Sequence, residues 1–153
     1  MRLRLLEGSL CFLLCLSCLT ARGHYHRKQI GIEDGLSQPS ITAMTSDPHG
    51  NIWIGTRFGI NRYRNGRVKR YIDNNEPGRS LKGNQVEFLF LDSQEKLWAS
   101  TDLGLSFYSQ EEDAFLPVRS EDVLCALEEA DVLYFGGYEG LLIYDRAGGY
   151  FER

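Results

Sequence analysis

Beyond its first 23 residues the sequence has little from which to build a metal centre, a disulfide scaffold or a membrane span. Of four cysteines, Cys11, Cys15 and Cys18 lie in the leading segment, and Cys125 alone follows it. A single thiol allows no disulfide framework. With one thiol and three histidines, none of the ligand sets of a structural zinc site, each of which needs at least two thiols, can be assembled. Helical periodicity is scarce, and no apolar run after the leading segment is long enough to span a bilayer. Net positive charge is missing as well. The leading segment holds three Arg and one Glu, so residues 24–153 keep 14 Lys+Arg against 20 Asp+Glu, a net charge of −6. That balance excludes a general attraction for nucleic acid or anionic lipid. No phosphate-binding glycine loop and no nucleophile–histidine constellation is present, and nothing calls for a cofactor.

What stands at the front is an export signal. Arg2 and Arg4 precede an uncharged apolar run from Leu10 to Leu19, and small residues follow at Ala21 and Gly23. A positive start, a short apolar run and a small-residue end are the three parts of a secretory signal, here residues 1–23. Cleavage is expected after Ala21 or Gly23. Lipidation at Cys18 is a weaker reading, because Cys15 sits where an aliphatic residue is preferred.

What fills the remainder is repetition. Asn51-Ile-Trp-Ile-Gly-Thr-Arg-Phe-Gly-Ile-Asn-Arg-Tyr63 reads as two short strands around a turn closed by Gly59. Leu97-Trp98-Ala99-Ser100-Thr101 and Gly104-Leu-Ser-Phe-Tyr108 repeat it 45 residues later. Leu133-Tyr134-Phe135-Gly136-Gly137 and Gly140-Leu-Leu-Ile-Tyr144 repeat it after another 36. A period in this range marks a repeat architecture. Each unit offers four short strands, with turn signals at Asp47-Pro48-His49-Gly50 and Asn65-Gly66. The expected fold is all-β: a partial β-propeller of about three four-stranded blades plus one N-terminal strand. The boundaries are 24–35 for that strand and its turn, 36–80 for the first blade, 81–119 for the second and 120–153 for the third. The lone strand, Tyr25–Glu33, would complete the last blade of a full ring. Propellers close with about four to eight blades. A three-blade segment is therefore expected to need further blades, or another chain, to complete its ring. Glu121–Ala130 poses a local conflict, since its composition favours helix while the repeat places a strand there.

Asp47-x-x-Gly50-Asn-Ile-Trp-Ile-Gly-Thr-x-x-Gly-Ile-Asn-Arg-Tyr63 closely resembles the two-component regulator propeller repeat, and Glu33-Asp-Gly-Leu-Ser37 resembles the entry to that family's first blade. The second unit departs at Ala99-Ser100, where Ile-Gly is usual. The third departs at Tyr134 for Trp and Gly137 for Thr. The resemblance implies the sensor part of a hybrid two-component regulator, exported to the periplasm of a Gram-negative bacterium and often concerned with polysaccharides. The histidine kinase of such proteins is not carried over to these residues, so the segment is expected to be non-catalytic, with a glycan-type ligand. Alternatives are part of a soluble secreted propeller enzyme, a lyase or glycosidase, and a protein-interaction array.

Candidate binding residues come from the basic run Arg57, Arg62, Arg64, Arg67, Lys69 and Arg70, whose forked guanidinium groups suit uronate or sulfate. Arg57, Arg62 and Arg64 lead that set, Arg57 first because it lies in a turn between strands; a solvated blade edge kept from aggregating by its charge is the favoured explanation of the run. Trp53, Trp98 and Tyr134 are expected to pack between blades rather than stack on sugars. His24 and His26 would suit square-planar Cu(II) or Ni(II) if cleavage follows Gly23. Glu111-Glu112-Asp113 reads as a turn without a chemical role, and Cys125 as a small buried hydrophobe.

Overall fold

The computed structural model describes residues 27–152. Twelve strands form three antiparallel four-stranded sheets, each a simple meander. Blade 1 comprises β1 (Ile41–Ser46), β2 (Ile52–Thr56), β3 (Gly59–Arg64) and β4 (Arg67–Tyr71). Blade 2 comprises β5 (Val86–Leu91), β6 (Leu97–Thr101), β7 (Gly104–Ser109) and β8 (Ala114–Arg119). Blade 3 comprises β9 (Cys125–Glu129), β10 (Val132–Gly137), β11 (Gly140–Asp145) and β12 (Tyr150–Glu152). These are the blades of an all-β, partial propeller, and the repeated offsets are structural equivalences. Trp53, Trp98 and Tyr134 occupy matching places on the second strands, paired with Thr45, Phe90 and Leu127 on the first.

Residues 1–23, read from the sequence as an export signal, together with Tyr25 and the two histidines His24 and His26, lie outside the described residues. Within the expected N-terminal strand, residues 27–31 form no strand, and Ile32–Asp34 is a 3-10 turn. The turn is locally favoured. Asp34 accepts from the Gly31 amide at 3.0 Å and pairs with Lys28 at 3.5 Å, while no neighbouring strand among the described residues competes for this backbone. The conflict at 121–130 resolves as strand, but β9 begins at Cys125, not Asp122.

Alternation along the strands builds two cores, one at each blade junction. Trp53, Ile60 and Tyr71 of blade 1 pack with Val86, Leu97 and Phe115 of blade 2. Trp98 and Leu105 of blade 2 pack with Leu133, Phe135 and Leu142 of blade 3. Each tryptophan leans on the blade that follows it: the Trp53 ring lies 4.6 Å from Tyr108, and the Trp98 ring 5.2 Å from Phe135. Burying a ring of this size removes on the order of 150–250 Å² from water. Tyr134 is partly exposed, because no sheet among the described residues covers that face of blade 3. For the same reason Cys125, expected to be buried, is exposed: its cross-strand partner Gly136 has no side chain, and the Cys125 face turns away from blade 2.

The opposite face of blade 1 is covered by the chain entering it. Leu36 is buried there, the Ser37 amide donates to Asn61 Oδ1 at 2.8 Å, and the Ser37 and Thr56 hydroxyls lie 2.9 Å apart. Arg70 Nε adds a bond to the Gly35 carbonyl at 2.7 Å.

Candidate functional site

The site begins with the alternation of β3 and β4. Arg62 pairs with Lys69 and Arg64 with Arg67, so four cations share the face turned toward blade 2. The Asn65-Gly66 turn between them has positive φ at both residues, 50° and 80°, which is the backbone a two-residue hairpin requires. Like charges directly opposite one another destabilise a sheet unless something compensates them.

For two of the four the compensation comes from blade 2. Arg62 Nη1 donates to Tyr108 Oη at 2.7 Å and to Asp113 Oδ1 at 3.2 Å. Its guanidinium also lies over three rings, 5.6 Å from Trp53, 5.7 Å from Tyr71 and 5.9 Å from Tyr108. Lys69 Nζ contacts Asp113 Oδ2, and both Tyr71 and Tyr108 donate their hydroxyls to Asp113 Oδ1 at 2.7 Å. Burial by itself would raise the Asp113 carboxyl. The bonds from Lys69, Tyr108 and Tyr71 and the charge of Arg62 outweigh it and hold Asp113 well below the usual carboxylate range. Burial, and then the bond to Asp113, push the Tyr71 phenol up. Asp113, read from sequence as an idle turn residue, is thus the centre of the network that ties blade 2 to blade 1.

Arg64 and Arg67 remain, exposed at the hairpin end. Arg64 borders two openings and Arg67 the first of them. A groove of about 620 Å³ is lined by Arg62, Arg64, Asn65, Arg67, Val68 and Lys69. A cleft of about 400 Å³ between blades 1 and 2 shares Arg62 and Arg64 and is continued by Asn51, Gln94, Glu95 and Gln110. Arg57 does not join them. It lies in the β2–β3 turn, at the far end of β3, roughly 17 Å away at the rise of an extended strand. Of the three leading candidates, Arg62 is committed to the blade junction, Arg64 is available at the cleft, and Arg57 is apart. A third opening of about 440 Å³, between the 73–82 loop and the end of β8, brings together no comparable charge cluster.

The floor of the cleft is set by residues whose role the sequence did not disclose. Asp47 accepts from the His49 and Asn51 amides at 3.0 and 2.9 Å, from Asn51 Nδ2 at 2.6 Å and from the Trp53 indole at 2.8 Å. Burial opposes ionisation, but these bonds prevail and keep its carboxyl low. At the next junction Asp92, which does not line the cleft, accepts in the same pattern from the Gln94 and Lys96 amides and the Trp98 indole at 3.0, 2.9 and 3.0 Å. The signal was available: both aspartates stand six residues before a tryptophan. Six before Tyr134 is Glu128, which turns instead to Arg146 at 2.7 Å. Among the described residues, no group of three or more His, Cys, Asp and Glu side chains could hold a metal ion, and no helix is long and apolar enough to cross a membrane.

Comparison with known proteins agrees with the geometry. Residues 35–58 match the family described as two component regulator propeller. The matched segment lies in blade 1 and the chain entering it, and is similar to one such repeat. Over 48 residues it is 40% identical to Histidine kinase P4 of Formosa agariphila, a match that covers 31% of this chain and 4% of that protein. Among solved structures, the extracellular domain of a hybrid two component system from B. thetaiotaomicron superposes with a TM-score of 0.73 at 24% identity, over 82% of this chain and 20% of the other. Virginiamycin B lyase from Staphylococcus aureus superposes with a TM-score of 0.53 at 18% identity, over 76% and 42%. At these identities the structural likenesses concern the fold alone. The chain therefore spans a small part of the length of the proteins it resembles.

Proposed function

We propose that this chain is an exported sensor-propeller segment of a two-component signal transduction regulator, periplasmic in a Gram-negative bacterium, that meets a glycan-type ligand and performs no chemistry itself. The observation that carries this reading is the regulator-propeller repeat at residues 35–58, which forms the first strand, the Asp47 turn and β2 of blade 1. The partners it calls for are further blades. Trp53 leans on aromatic side chains of blade 2 and Trp98 on those of blade 3. The matching face of blade 3 leaves Leu127, Leu141 and Tyr150 exposed beside Tyr134. A fourth sheet with aromatic residues on its third and fourth strands would complete the series.

Two measurements test the reading. Alkaline phosphatase fused behind residue 153 is active only if the leading segment directs export. Thermal melts of the chain against a panel of neutral and acidic oligosaccharides should show a raised Tm with at least one class. An inactive fusion sinks the exported reading, and a panel without any shift sinks the glycan reading.

A further inference from the structure

The concentration of positive charge on blade 1 is not a general property of these blades. Between β3 and β4 stand Arg62, Arg64, Arg67, Lys69 and Arg70 with no acidic residue among them, in a chain whose net charge is −4. The equivalent hairpin of blade 2 carries Arg119 against Glu111, Glu112 and Asp113, and that of blade 3 carries Arg146 against Asp145 and Glu152. Edge protection does not account for the difference. β8 occupies the same outer position with only Pro117 and Arg119 to blunt its edge. After Asp113 has taken up Arg62 and Lys69, the directly opposed pair Arg64 and Arg67 is left exposed along the hairpin groove, with Arg64 also bordering the cleft. Such a pair is costly in the sheet and favourable toward an oxyanion, to which two planar forks can donate at once.

A second feature lies on the cleft floor. Asn51 is 7% exposed, and its Nδ2 is bound to Asp47 at 2.6 Å, which fixes the amide orientation. Its Oδ1 is left without a protein donor. That oxygen is itself closed to solvent, so Asn51 shapes the wall of the cleft and does not reach a ligand. Gln94 and Gln110, farther along the cleft, offer both donors and acceptors.

We infer that Arg64 and Arg67, with the adjoining cleft between blades 1 and 2, form a binding site for an acidic saccharide, the arginines taking its carboxylate or sulfate and Gln94 and Gln110 of the cleft its hydroxyls. This deepens the glycan reading and rests on it. Arg62 serves as a wall of the site, held by Tyr108 and Asp113, and Arg57 takes no part.

Isothermal titration of the whole chain tests this with four probes: trigalacturonate, a chondroitin sulfate oligosaccharide, maltotriose and inorganic sulfate. At least one acidic oligosaccharide should bind, more weakly as salt rises, and the stronger of the two identifies carboxylate or sulfate as the anion. Arg64→Gln/Arg67→Gln should weaken that binding by about tenfold or more, as expected for loss of hydrogen bonds to a charged group. Arg64→Lys/Arg67→Lys, which keeps the charge and loses the fork, should fall between. Both residues are exposed, and unchanged Trp53 and Trp98 fluorescence reports an intact fold. Arg57→Gln should bind as the unaltered chain does. Undiminished binding in the Gln variant, or a loss equalled by Arg57→Gln, overturns the site. Inorganic sulfate bound as tightly as the oligosaccharides overturns its saccharide character. Maltotriose binding without acidic binding overturns this inference while leaving the glycan reading standing, and no binding by any probe removes the inference.

Discussion

Trp98 donates its indole N–H to Asp92 Oδ2 at 3.0 Å, across the turn joining β5 to β6. The same oxygen lies 3.3 Å from Arg146 Nη2, from blade 3. One carboxylate thereby sets the turn, orients the largest ring of the core and binds the next blade. Its counterpart Asp47 makes the first two connections, with no cation in the place of Arg146.

The two aspartates should therefore differ when removed. Asp47→Ala loses hydrogen bonds and should cost about 1–3 kcal/mol. Asp92→Ala also leaves Arg146, only 7% exposed, with Glu128 as its remaining acidic partner, and should cost about 3 kcal/mol or more. Urea midpoints followed by tryptophan fluorescence give the order; equal midpoints would contradict it.

The blade 1–blade 2 junction should be sensitive to pH at both extremes. The Asp113 carboxyl is depressed in the folded chain below its ordinary 3.8, so its contribution is complete above about pH 4 and is lost as pH falls toward the folded value. The Tyr71 phenol is raised above its ordinary 10.0, so the unfolded chain ionises first and stability falls as pH rises beyond about 10. Thermal melts from pH 2 to 11 should show both declines. Asp113→Asn should flatten the acid limb and Tyr71→Phe the alkaline one. Because the Asp113 side chain is 42% exposed, salt should weaken the acid effect.

Gly104 closes the β6–β7 turn at a φ of +132°, where an added Cβ would stand 2.1 Å from the Arg119 carbonyl oxygen. Gly104→Ala should lower stability by about 2 kcal/mol or more, through left-handed strain and the backbone clash together. Gly50→Ala, at a φ of +81° with open space around it, carries the strain alone and should cost less. Paired denaturation curves distinguish the two.

Cys125 faces outward from β9. In the native chain it should react with a maleimide at the rate of a free thiol, and Cys125→Ser should leave the melt nearly unchanged. Protection that disappears only in denaturant would place the thiol in a core instead.

Much of the blade architecture is legible in the residues. Ile41–Ser46, Gly59–Arg64, Ala114–Arg119 and Gly140–Asp145 are strands where repeat spacing and turn chemistry place them. The repeat also prevailed over helix propensity at β9, since all of its residues from Cys125 to Glu129 lie in register with β10. The candidate site was half legible. The basic run stands in the sequence, and period-2 alternation places Arg62, Arg64, Arg67 and Lys69 on one face. That Arg62 is consumed by Asp113, 51 residues away, depends on how two sheets pack and is not encoded in any local spacing.

The division is physical. Turn dihedrals, strand alternation and the offsets from Asp47 to Trp53 and from Asp92 to Trp98 act within a few residues, so the amino-acid order by itself determined three similar four-stranded units, while the register shifts at the starts of β1, β5 and β7 appear only in the structure. Which charges are neutralised, which aromatic face is covered and where a cleft opens depend on contacts between blades. Asp113 reaching Arg62, Arg146 reaching Asp92, and Arg64 and Arg67 left over at the cleft were decided only by the tertiary structure, because each follows from the approach of sheets that are distant in sequence.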